Sequence, residues 1–187
     1  MKVVPQSIPE VLIIEPEVHR DKRGFSMEVY HQMRYCQSRL EQTFVQDNLS
    51  FSVQGALRGL HYQLRNPQAK LVQVLKGAIF DVAVDIRLGS PTFGQWVGIY
   101  LTDDNSRQTL VPEGFAHGFC ALSKTAIVIY KCTDFYDPED DGGILWSDPT
   151  LGIHWPVKEP LLSPKDSRNP CIRDLSPGQL PVYQSEP

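Results

Sequence analysis

Between residues 53 and 133 apolar side chains alternate with polar ones in short runs, each closed by glycine, proline or a polar turn. The runs are Lys70 to Leu75, Ala78 to Arg87, Gln95 to Leu101, Phe115 to Leu122 and Ala126 to Thr133. A period of two sends successive side chains to opposite faces of a strand, and short strands at regular spacing predict a β-sandwich or barrel. In Ala78 to Arg87, Phe80, Val82, Val84 and Ile86 fall on one face and Ile79, Asp81, Ala83 and Asp85 on the other, so two carboxylates share a face. The one stretch with helical spacing is Tyr30 to Thr43, where Met33, Cys36 and Leu40 recur at intervals of three and four. No strand–helix alternation follows it, which excludes a doubly wound parallel sheet. Pro170, Pro177, Pro181 and Pro187 punctuate a closing segment poor in apolar groups, which predicts an extended tail over the surface. The expectation is one mainly β domain over 1–187, with its core at about 16–168 and a tail at 169–187.

Composition narrows the function. A chain of 187 residues is long enough to bury about 70% of its unfolded surface behind one core. Its net charge of −4 argues against a nucleic-acid partner, which needs a basic face to displace counterions. Val11 to Ile14, the longest apolar run near the start, is flanked by Glu10 and Glu15 and is too short for a membrane span or a leader, so a cytoplasmic protein is expected. Cys36, Cys120, Cys132 and Cys171 show no CxxC spacing and read as reduced thiols, Cys120 and Cys132 as core residues.

The chemistry starts at "GALRGLHYQL", residues 55 to 64, where Arg58 and His61 stand in an otherwise apolar strand. "VPEGFAHGF", residues 111 to 119, delivers His117 after a proline–glycine turn and resembles the second motif of the cupins, small jelly-roll barrels whose histidines often hold a metal. The first cupin motif has two histidines one residue apart and then a glutamate. Here the triplet is His61-Tyr62-Gln63 with no glutamate in the next ten residues, which leaves a divalent ion short of ligands. Released from a metal, a cavity histidine is available as a base, provided a carboxylate fixes its tautomer.

"FVQDNLSFS", "GALRGLHYQL", "KLVQVLKGAIFDVAVDIRLGSPTFGQWVG", "VPEGFAHGF", "YKCTDFY" and "WSDPTLGIHWP" followed by "LSPKD" resemble the dTDP-4-dehydrorhamnose 3,5-epimerases, in order, from about Pro16 to Arg168. The resemblance implies a cupin-type jelly roll in a homodimer. It also implies an isomerase that inverts C3 and C5 of a thymidine-diphosphate-linked 4-keto-6-deoxyhexose without metal or other cofactor. By the same resemblance His61 is the general base, Asp166 orients it, Tyr130 is the acid on the opposite face and Lys70 stabilises the enolate oxygen. Asp81 is a second candidate partner for His61, ranked below Asp166. The chemistry requires such a set, because a hydrogen beside a ketone is removable only when the developing oxyanion is stabilised.

For the nucleotide, the resemblance assigns Arg58 and Arg23 to the diphosphate with His117 and Lys165 nearby, Gln46, Asp47, Asn48 and Glu28 to further contacts, and Tyr136 to stacking on thymine. Arg23 and Glu28 would reach the site from the neighbouring subunit. Asp141 stands where glutamate is usual, keeping the charge on a shorter arm, and Leu110 replaces a common tryptophan. Strict alternation sends Arg58 and His61 to opposite faces, so if both line one pocket the backbone must be irregular at Gly59. Open beside this reading are a single-site epimerase or ketoisomerase, a metal cupin, and a non-catalytic nucleotide-sugar binder.

Overall fold

Residues 1–38 and 40–184 are described in the computed structural model; Arg39, within the expected helix, and Ser185 to Pro187, at the end of the expected tail, lie outside them. The β runs named above become strands because their β-branched and aromatic residues meet a partner on both faces. Thirteen strands form among the described residues: β1 Lys2–Pro5, β2 Leu12–Glu15, β3 Val18–Asp21, β4 Gly24–Met27, β5 Gln46–Val53, β6 Leu57–Gln63 and β7 Lys70–Lys76, then β8 Ala78–Asp85, β9 Trp96–Thr102, β10 Gln108–Val111, β11 Phe115–Ala121, β12 Thr125–Cys132 and β13 Asp141–Gly143. They make a six-stranded sheet in the order β1-β2-β10-β7-β12-β5, a five-stranded sheet in the order β13-β6-β11-β8-β9, and the separate hairpin β3-β4. The ladders are antiparallel throughout.

The two sheets face one another as a jelly roll. Val72, Val74, Ala126 and Val128 of the first pack on Ile79, Ala83, Val97, Ile99, Leu101, Phe115 and Phe119 of the second. The alternation read in β8 has the expected sides: Ile79 and Ala83 belong to this inter-sheet core, and Phe80, Val82, Val84 and Ile86 to a cluster on the outer face. That outer face is covered by the C-terminal third of the chain, which buries Ile144, Leu151, Ile172 and Leu180 against it. The closing segment therefore lies over the surface, but as a packed layer with 3₁₀ turns at Ile172–Asp174 and Pro177–Gln179.

The helix is shorter than its spacing predicts. It spans Gln32–Gln37, and Tyr35, not Met33 or Cys36, is its buried residue. Tyr35 and Leu40 cover Ile14, Leu71 and Leu110 on one half of the six-stranded sheet's outer face. No helix among the described residues is long and apolar enough to cross a membrane.

Candidate active site

Alternation aims a set of polar side chains inward at one end of the sandwich. From the five-stranded sheet come His61 of β6, His117 of β11 and Asp81 of β8; from the six-stranded sheet come Gln46 and Asn48 of β5, Lys70 of β7 and Tyr130 of β12. All but the fully buried Asp81 line two adjoining hollows of about 280 and 260 Å³, which share His61, Lys70, Tyr130 and Asp141.

The backbone is irregular where it has to be. Gly59 has φ = +127° and its peptide to Leu60 is cis, while the β6–β11 register passes from His61↔His117 to Arg58↔Phe119. Two residues of β6, Gly59 and Leu60, therefore oppose the single Gly118, a bulge that lets Arg58 and His61 line the same hollow. Only glycine fits, because a Cβ at position 59 would stand 2.5 Å from the Gly118 Cα. The guanidinium of Arg58 is held by the Ser52 hydroxyl at 3.1 Å and the Phe51 carbonyl at 3.0 Å, with no carboxylate partner among the described residues.

His61 donates from Nε2 to Asp166 Oδ1 at 2.7 Å, which leaves the Nδ1 lone pair free as a base. Asp166 sits on a 3₁₀ turn with only 5% of its side chain exposed, its backbone N–H bonded to the Ser163 hydroxyl at 3.0 Å. Burial alone would raise its pKa, but hydrogen bonds from His61, Ser163 and the Gly59 N–H, with the attraction of the His61 ring, hold it below 3.8. The bulge glycine thus serves the dyad as well as Arg58.

A second dyad lies beside the first on the same sheet: His117 Nε2 is 2.8 Å from Asp81 Oδ1. This corrects the expectation that Asp81 might serve His61. Strand β11 lies between β6 and β8, so the reach of Asp81 ends at His117. No trio of histidine, cysteine or acidic side chains able to hold a metal ion occurs among the described residues.

On the opposite wall, Tyr130 and Lys70 present their polar ends without a hydrogen-bond partner among the described residues. Burial pushes the Tyr130 phenol above 10, helped by Cys132 and Asp141 and opposed by Arg58. Burial lowers Lys70 from 10.5, against the pull of Cys132, Asp141 and Asp81. Asp141 accepts hydrogen bonds from the Tyr136 hydroxyl at 2.9 Å and from the Lys165 ammonium, so the shorter acid still closes the rim.

Three of the expected residues lie elsewhere. Asp47 alternates outward on β5 and pairs with Lys131 at 2.8 Å. Arg23 and Glu28 sit at and beyond the projecting β3-β4 hairpin, paired with Asp21 and Arg34 respectively and away from this chain's own cavity. Sequence reasoning passed over Ser163 and Gln68; nothing local marks Ser163, whose partner is the backbone N–H of Asp166.

Fold and cavity together define a cupin-type barrel with a histidine–aspartate pair on one wall of its cavity and a phenol on the other, groups able to move protons. Residues 5–174 match the sequence profile of the dTDP-4-dehydrorhamnose 3,5-epimerases, and the chain belongs to that family. The dTDP-4-dehydrorhamnose 3,5-epimerase of Methanothermobacter thermautotrophicus is 52% identical over 97% of both chains. A dTDP-4-dehydrorhamnose 3-epimerase of Streptomyces niveus is 41% identical over 98% of this chain and 90% of its own. The crystal structure of dTDP-6-deoxy-D-glucose-3,5-epimerase from Legionella pneumophila in complex with dTDP-4-keto-L-rhamnose superposes with a TM-score of 0.95 at 50% identity, covering 98% of this chain and 99% of that one.

Proposed function

We propose that the protein epimerises dTDP-4-keto-6-deoxy-D-glucose at C3 and C5 to dTDP-4-keto-L-rhamnose, in the cytoplasm and without a cofactor, for dTDP-L-rhamnose synthesis. The observation that carries the reading is that His61 and Tyr130 line opposite walls of one cavity, with Lys70 on the strand beside Tyr130. His61 Nδ1 takes the proton beside the ketone, the Lys70 ammonium stabilises the enolate oxygen, and the Tyr130 hydroxyl returns a proton to the other face. The cavity opens to solvent, so the imidazolium and phenolate exchange protons with water, and a second cycle inverts the second carbon. Arg58, with His117 and Lys165, takes the diphosphate, and Gln46, Asn48 and Tyr136 take the nucleoside end.

Proton NMR of the dTDP-4-keto sugar in deuterated water tests this. Deuterium is expected at both C3 and C5. Exchange at one carbon only would replace the double epimerisation with the single-site activity that the Streptomyces niveus relative is named for.

The reading includes a homodimer. The helix covers half of the six-stranded sheet's outer face; the other half carries Leu49, 65% exposed, Phe51, 56% exposed, with Val53 and Leu75 beside them. An apolar strip of this kind on an edge strand calls for a partner. A second copy seated there brings the hairpin carrying Arg23, and Glu28 beyond it, to the neighbouring cavity. Phe51→Asp is therefore expected to shift the protein to monomer in analytical ultracentrifugation. With it, kcat/KM falls by about tenfold or more, the loss expected when charge-assisted phosphate contacts worth 1.5–3 kcal/mol are removed. A monomer of full activity would refute the exchange of residues.

A further inference from the structure

Tyr136 lies in the irregular stretch between β12 and β13, where no ladder fixes the backbone. Side-chain amides do so instead. Gln68 donates to the Asp134 carbonyl at 2.8 Å, and the Tyr136 N–H donates to Gln46 Oε1 at 2.9 Å. Gln63 grips both sides of Tyr136: its Nε2 donates to the Phe135 carbonyl at 3.1 Å and its Oε1 accepts from the Asp137 N–H at 2.9 Å. The same Nε2 donates to the Asn66 carbonyl at 2.7 Å, so both amide hydrogens are used. Gln63 is 5% exposed, lies two residues from His61 on β6, and pairs in register with Asp141, the acceptor of the Tyr136 hydroxyl. One buried amide therefore joins the strand that carries the base to the arm that carries the aromatic ring.

We infer that Gln63, at the position of a vanished metal ligand, is a positioning residue that sets Tyr136 and through it the nucleoside-base end of the substrate. This rests on the reading that thymine stacks on Tyr136. A satisfied amide in a low-dielectric setting holds its partners more firmly than the same bond in water, and its loss frees a segment that nothing else in the backbone restrains.

The isosteric variant Q63M removes all three bonds. It is expected to weaken dTDP binding about tenfold by calorimetry, the effect of one to two buried hydrogen bonds, and to raise KM in proportion. Pyrophosphate affinity stays unchanged and kcat moves less than twofold. In a Y136A background, Q63M adds nothing further to the loss of dTDP affinity. An equal loss in that background, or a fall in kcat matching the rise in KM, overturns the inference. If Y136A weakens dTDP and Q63M does not, the role of Gln63 alone fails; if Y136A leaves dTDP binding intact, the stacking itself fails and the role of Gln63 with it. Where Q63M does not fold, Q63E, which keeps the acceptor for the Asp137 N–H, carries the same comparison.

Discussion

Asparagine in place of His61 is expected to abolish deuterium incorporation at both C3 and C5, with the turnover rate falling by about 10²–10⁴, the usual worth of a positioned acid–base group. Both carbons are expected to fall silent together, because of the two carboxylate-backed histidines on the wall facing Tyr130 and Lys70 only His61 lines both hollows. His117, whose Nε2 is likewise bound to a carboxylate, is expected not to replace it, because it lines only the Arg58 hollow and His61 lines both. Asp166, held below 3.8, stays ionised across the neutral range and supports the imidazolium each time a proton is taken. The folded protein is expected to persist, since His61 is partly exposed at the cavity and contributes little to either apolar cluster. Retention of exchange at one carbon in the variant would mean that a second base serves it.

The middle of the chain was legible because the inward side chains of its strands fill the core between the sheets, so hydrophobic periodicity and burial coincide. Strand β5 shows where this stops. Its alternation is as regular as that of β8 but inverted, with Gln46, Asn48, Ser50 and Ser52 inward and Leu49, Phe51 and Val53 outward, because its inner face borders a polar cavity and its outer face is bare. Periodicity gives the interval and not the sign. The same limit applies to the helix, where Met33 and Cys36 have core-like spacing yet are exposed, and the burial falls to Tyr35 and Leu40. Strands β1 to β4 have four residues each and carry too little pattern to be seen.

At the site, alternation along the local sequence conflicted with the roles that the family resemblance gave Arg58 and His61, and that conflict located the bulge. The dyad partner was another matter. Asp166 is 105 residues from His61, and only the resemblance to a family joined them. The competing choice, Asp81, fails for a topological reason, since β11 lies between β8 and β6. Gln63 was read as what it lacks, a metal ligand. Its bonds run to Asn66, Phe135 and Asp137, two of them more than seventy residues away, and no local pattern announces them.

Lys70→Met is expected to lower kcat/KM by about 10²–10³, the worth of one donor aimed at a developing oxyanion. The lysine is placed for this: it shares both hollows with His61 and Tyr130, and its ammonium is unpaired among the described residues. Its depressed pKa gives the proposal a second measurement. The protonated form is the one that stabilises an enolate, and burial lowers the value below 10.5, so the lysine's contribution is present on the acid side of that lowered value and is lost as pH rises through it. The Tyr130 phenol moves the other way, raised above 10 by burial, so the two groups shift in opposite directions. Lys70→Arg separates the two. A guanidinium remains charged beyond pH 12, so this variant is expected to retain part of the activity and to lose the alkaline limb assigned to Lys70. An unmoved limb in the arginine variant would transfer that titration to another group, and with it the assignment of the enolate's partner.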